Sequence, residues 1–75
     1  PAAWAERVEH LRACVRELGD GARQVLAWRY DERIPVEEMA RRIGKSVPSI
    51  KKQLFVLRKQ LGACVERKLA AEGGA

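Results

Sequence analysis

Three residues at fixed separations constrain this chain more than anything else in it: Ala40, Gly44 and Ile50, inside the run P-V-E-E-M-A-R-R-I-G-K-S-V-P-S-I-K-K-Q-L-F-V-L from Pro35 to Leu57. Val36, Met39, Ala40 and Ile43 recur at helical spacing while Glu37, Glu38, Arg41 and Arg42 fall on the opposite face, which predicts a short amphipathic helix. Gly44 follows the last apolar position and supplies the left-handed conformation that ends a helix without a Cβ penalty. Ser46 offers a hydroxyl to the orphan amides of a new helix, and Pro48 stands in its first turn, where a missing N–H costs nothing. A longer helix is therefore expected from Val47. A small residue at 40 lets it cross closely, and a branched residue at 50 plugs the joint. The pattern is that of a helix-turn-helix, although a generic pair of antiparallel helices would also satisfy these three positions.

The distribution of charge narrows the choice. The 75 residues carry a net +5 with a pI near 9.8. Residues 1–40 hold six arginines against eight acids, a balance of −2, whereas residues 41–68 hold nine lysines and arginines against Glu66 alone, a balance of +8. The basic half coincides with the end of the first motif helix and with the second. Such thorough exclusion of acids is expected of a phosphate-facing surface more than of an ordinary solvated face.

The remaining residues supply a small core. Trp4, Val8, Leu11, Val15 and Leu18 recur at steps of four and three, predicting a first helix over about 3–18. Gly19 and Gly21 bracket Asp20, an expected N-cap for a second helix over about 21–30 that buries Ala22, Val25, Leu26 and part of Trp28 or Tyr30. Ile34, before the Pro35 turn, is placed to staple the third helix by packing near Met39. After Ile50 the apolar register runs through Leu54, Leu57, Leu61, Val65 and Leu69 without resetting at Gly62, so one continuous helix is expected, with a frayed tail over 73–75. The expectation is an all-α fold: a four-helix domain over 1–72, containing a helix-turn-helix with a long C-terminal recognition helix. The chain opens on Pro1 rather than methionine, as a piece of a longer protein would.

Little in the sequence supports chemistry. A catalytic cleft is not expected at this size, and one histidine with no glycine-rich phosphate loop leaves no catalytic constellation. His10 and Cys14 have an i, i+4 spacing that suits two metal ligands, but Glu17 stands where a third would be wanted. Cys14 and Cys64 are read as small buried apolar residues in a reduced compartment, with no disulfide. Trp4, Trp28 and Tyr30 are read as core rather than as stacking platforms for bases. No run of about 18 apolar residues is present, so no membrane span is expected.

Taken together, L-G-D-G-A-R-Q-V-L-A-W-R-Y from Leu18 to Tyr30, the Pro35–Leu57 run and the long basic helix resemble the C-terminal domain, region four, of bacterial RNA polymerase sigma factors, and most closely the extracytoplasmic-function group. Leu18, Arg23, Val25, Leu26, Arg29, Tyr30, Glu37, Glu38, Ala40, Gly44, Ser46, Ile50 and Lys51 match that family's pattern in type and spacing. The likeness covers roughly residues 11–69. Gly19 stands where the family usually has proline, Pro35 where a Ser or Thr would cap the third helix, and Pro48 where a small residue is usual. Val47 and Pro48 leave few hydrogen-bonding side chains at the tip of the recognition helix.

The resemblance implies a non-enzymatic, cofactor-free cytoplasmic domain that binds the upstream minus-35 promoter element in the major groove. It also implies docking on the β flap of RNA polymerase and possible capture by an anti-sigma protein. The residues expected at DNA are Arg41, Arg42, Lys45, Ser46, Val47, Ser49, Lys51, Lys52 and Lys59, with Phe55 turned outward beside them. Leu11, Leu18 and Leu26 are the expected polymerase-docking residues. Two other readings are the DNA-binding output domain of a response-regulator type transcription factor and a helical protein-interaction module whose basic face meets an acidic partner. The Trp28-Arg29-Tyr30 segment and the length of the last helix favour the sigma-type reading.

Overall fold

The computed structural model describes residues 2–73, with side chains described for residues 4–72. Pro1 and the last two residues of the expected frayed tail lie outside the described residues. Four helices and no strand are found among those described. They are α1 (Ala2–Arg16), α2 (Asp20–Leu26), which continues without a break into a π-helical turn (Ala27–Asp31), α3 (Val36–Ile43) and α4 (Val47–Gly73). The fold is all-α, as expected.

The first helix ends two residues earlier than its apolar seam suggested, where the amides of Glu17 and Leu18 bond back to the carbonyls of Cys14 and Val15 and tighten the last turn. The face it buries also differs. Cys14 is 2% exposed, and Val15 and Leu18 pack partly against the core, but Trp4 and Leu11 stand out in solvent.

Gly19, in an extended conformation, takes the N-cap position of α2, so Asp20 is the first helical residue rather than the cap. Its carboxylate pairs with Arg23 one turn on.

The helix then widens. The Glu32 amide donates to the Ala27 carbonyl five residues back at 3.0 Å, the bond that defines a π turn. The extra residue shifts the helical phase of this segment, so that Trp28 packs against the core while Tyr30 is about half exposed. The core reading thus holds in part for Trp28 and fails for Trp4 and Tyr30. Arg33 adopts a positive φ of 56° to close the loop, and the Ile34 amide donates to the Trp28 carbonyl at 2.8 Å, delivering Ile34 into the core beside α3.

The turn between α3 and α4 obeys the pattern of its residues. Gly44 is left-handed (φ 79°, ψ 33°), and the Ala40 carbonyl accepts from the amides of Gly44 and Lys45 at 2.8 and 3.0 Å. Ser46 Oγ accepts from the Ser49 amide at 3.2 Å, capping α4. Met39 and Ile50 are wholly buried and Ala40 nearly so. With Leu54 they are among the most fully buried residues of the core, each large side chain stabilising the fold by roughly 1.5–3 kcal/mol relative to exposure.

The α4 seam continues through Leu57, Leu61 and Val65, all buried, and crosses Gly62 as one helix. Its 27 residues span about 40 Å at 1.5 Å each, which accounts for most of the molecule's 46 Å long axis.

One expectation is overturned outright. Cys14 and Cys64 are joined in a disulfide across a Cα separation of 6.1 Å, and no free cysteine remains. Unpaired cysteine is commonly a small buried apolar residue, which is why both read as core residues without a bridge. What the one-dimensional pattern does not carry is that α1 and α4 bring these two positions together. The bridge also removes Cys14 as a metal ligand, and no group of three potential ligands is found among the described residues.

Candidate nucleic-acid interface

Of the positive residues of 41–68, Arg41, Arg42, Lys45, Lys51 and Lys52 lie at the end of α3, in the turn or in the first turns of α4, and the others lie farther along α4. Lys45, Lys51, Lys52 and Lys59 are exposed and make no ion pair among the described residues. The reason is local: the first turn of α4 holds no acid, and the next acidic residue along the helix is Glu66. Lys45, Ser49 and Lys52, with Gln53, Val56 and Leu57, line a shallow depression of about 350 Å³. Lysines here meet an anion as mobile point charges rather than as a fixed fork.

Ser46 and Ser49 are partly occupied. Besides capping, Ser46 Oγ lies 3.1 Å from Ser49 Oγ and donates to it, so each hydroxyl keeps limited capacity for an outside acceptor. Val47 is half-buried and Pro48 exposed. Farther along, Phe55 is 58% exposed, and the Lys59 ammonium stands 5.1 Å from the centre of its ring. This is an exposed aromatic in a basic surround.

The two arginines at the end of α3 are placed differently from the lysines. Glu38 accepts from Arg41 Nη2 and from Arg42 Nε, the latter at 3.1 Å. Arg42 also stacks over the Trp28 ring, 5.2 Å from its centre, linking α3 to the π turn. The Arg42 hydrogen bond is the main influence holding the Glu38 carboxyl below its ordinary range, opposed by partial burial and helped by the nearby Arg41 charge. Arg41 points out, with its side chain 77% exposed, whereas Arg42 is held by two internal partners. Of the nine expected DNA contacts, Lys45, Ser49 and Lys52 share one depression, Lys51 and Lys59 project from α4 with Lys59 over the Phe55 ring, and Arg41 and Arg42 share one carboxylate.

A second surface lies on the other side of α4. The end of α1, α2, the π turn and α4 enclose an apolar groove of about 790 Å³, lined by Leu11, Val15, Leu26, Tyr30, Leu61 and Val65. Arg7, Arg23, Arg58, Asp31 and Glu66 supply its charged lining. Gly62 also lines it, and a Cβ placed there would meet nothing within 4 Å. Of the three leucines expected at a docking surface, Leu11 and Leu26 line the groove. Leu18 instead packs against the core. Tyr30 was not foreseen on this surface, because a 3.6-residue period places it with the buried face and only the π turn brings it out.

Between α1 and α4, Lys68 pairs with Glu17 at 2.8 Å and Arg7 with Glu66 at 3.5 Å. The Lys68 hydrogen bond, then its charge, holds the Glu17 carboxyl below its ordinary range. His10 Nε2 lies 3.1 Å from a Glu72 carboxylate oxygen without hydrogen-bond geometry. No helix of the described residues is long and apolar enough to cross a membrane. Comparison with protein-family models, characterised proteins and solved structures finds no match.

Proposed function

We propose that this chain is a promoter-recognition domain of the sigma region-four type, acting by binding rather than by catalysis. In this reading the start of α4 enters the major groove of the minus-35 element and directs transcription initiation. The β flap of the polymerase occupies the apolar groove, and an anti-sigma protein competes for one of these surfaces. The observation that carries the reading is the cluster of unpaired lysines, Lys45, Lys51, Lys52 and Lys59, around the glycine turn and along one exposed side of α4. A major groove about 12 Å wide admits a single helix of this kind.

The chain's working location, the cytoplasm, is set by the partner it is proposed to serve. The Cys14–Cys64 disulfide is unusual for that compartment, where thiols are generally kept reduced.

The test is fluorescence anisotropy of the purified chain with labelled duplexes over a salt series. Log affinity is expected to fall linearly with log salt, by about 0.9 per neutralised phosphate. Lys51→Ala should lower affinity and narrow the difference between promoter and random duplex, while Arg41→Ala should flatten the slope by no more than about 0.9 on every sequence. Binding that is absent, or indifferent to salt, refutes the DNA reading. The interaction-module reading draws its own support from the apolar groove, and a partner that binds there in the absence of any DNA affinity would favour it.

A further inference from the structure

The strongest unexplained feature outside the core is one carboxylate holding two arginines at the edge of the basic surface. Glu38 stands in the first turn of α3 and reaches Arg41 and Arg42, its i+3 and i+4 neighbours, both in the last turn. The Trp28 ring also contacts Arg42, 5.2 Å from its centre, so this arginine is anchored to the body of the domain, whereas Arg41 is held by Glu38 alone. Glu37 stands beside Glu38 in the same first turn, is exposed, and makes no ion pair among the described residues. Helix-dipole stabilisation asks for an acid in this turn and is met by either residue. It does not account for a carboxylate directed onto two arginines.

We propose, resting on the DNA-binding reading above, that Glu38 is an internal counter-ion that competes with DNA phosphates for Arg41 and Arg42 and so sets how tightly the domain holds DNA of any sequence. A guanidinium and a carboxylate form the same charge-assisted bonds that a guanidinium forms with a phosphate. A phosphate must displace Glu38, and an arginine already neutralised within the protein releases fewer counter-ions from DNA than a free one. Sequence-independent affinity is thereby lowered, while Lys51 and Lys52, which have no such partner, keep their full contribution. Glu38 is thus a positioning residue, acting on DNA through the two arginines. A glutamate carboxyl already titrates well below neutrality and the Arg42 bond lowers this one further, so the competition operates at physiological pH.

Glu38→Gln and Glu37→Gln remove the same charge from the same helical turn, and only the first frees the arginines. On a random-sequence duplex, E38Q is expected to bind more tightly than the parent at low salt and to steepen the salt slope by about 0.9 for each arginine released, an additional ~3.5-fold loss of affinity between about 50 and 200 mM salt for each. E37Q should leave the slope near that of the parent. Circular dichroism of each variant checks that the helices persist. As a second arm, Arg41→Ala should flatten the slope by less in the parent, where Glu38 is present, than in the E38Q background.

Equal steepening by E38Q and E37Q would show an effect of net charge alone, and an unchanged slope for E38Q would show no competition; either result overturns the proposal. Failure of the parent chain and all variants to bind DNA in a salt-dependent way would instead overturn the DNA-binding reading, and this proposal with it.

Discussion

Reduction of the Cys14–Cys64 bridge should cost this fold several kcal/mol of stability. The two cysteines are 50 residues apart in sequence, so the bridge removes from the unfolded chain the freedom of a long loop. Loop-closure entropy for that length amounts to about 4 kcal/mol at 25 °C. A domain of this size loses roughly 4–8 °C in Tm per kcal/mol, which gives an expected fall of about 15–30 °C on reduction. Apart from the bridge, α1 is held by apolar packing, with Val15 against the core. The ion pairs to α4 from α1 and the turn after it, Arg7–Glu66 and Glu17–Lys68, are at least partly exposed, and solvent screens such pairs. The assay is thermal unfolding by circular dichroism, with and without dithiothreitol, alongside Cys64→Ala. Cys64 is the better site because it is only partly buried, whereas Cys14 is 2% exposed and its truncation would add a cavity to the measurement. Reduced parent and Cys64→Ala should melt together, well below the oxidised parent, with free thiols counted by alkylation and mass spectrometry. A loss below about 1 kcal/mol with both thiols demonstrably free would refute the entropy argument.

Ala40→Leu should overpack the joint against Met39 and Ile50 and cost about 1–3 kcal/mol, read as a lower Tm; an unchanged melt would contradict the close crossing. Gly62→Ala should raise stability by about 1 kcal/mol, because nothing in the molecule obstructs a Cβ there and alanine favours the helix. A fall in Tm would mean that the glycine is needed by the fold itself. Stability should decline as pH drops below the ordinary glutamate value of 4.5, because the Glu17 and Glu38 carboxyls both titrate lower in the folded chain. Their contribution is present above the unfolded value and is lost as pH falls through the folded one. Glu17→Gln should therefore be less stable than the parent at neutral pH and lose less on acidification, and parallel acid profiles for the two would count against the Lys68 pairing.

The parts of the fold carried by local sequence are those the residues predicted best. Gly44 and Ser46 act through backbone conformation and a cap within three residues of themselves, so the α3–α4 turn was legible, as was the continuity of α4 across Gly62. Features that depend on which helices meet were not. Cys14 and Cys64 gave no sign of their partnership, because each alone suits a small buried residue and their pairing depends on how α1 and α4 meet. On α1, period alone cannot tell that Leu11 faces the groove while Cys14 is buried in the core. A single π turn defeated the placement of Tyr30, since one extra residue shifts the helical phase. Likewise Arg41 and Arg42 were legible as positive charge, but their shared carboxylate depends on rotamers. The three-to-four-residue spacing permits that arrangement without requiring it.

Because the lysine-rich end and the apolar groove are built on the same uninterrupted α4, the relation between them is counted in residues. Lys52 and Val65 lie about 20 Å apart along the axis at 1.5 Å per residue, with no hinge between them. Molecules seated at the two places would be held at a fixed distance and a fixed angle, as though on one shaft. Inserting a single residue between Leu57 and Leu61 would turn one seat about 100° relative to the other. The two surfaces are therefore coupled in orientation even where no side chain of one touches the other.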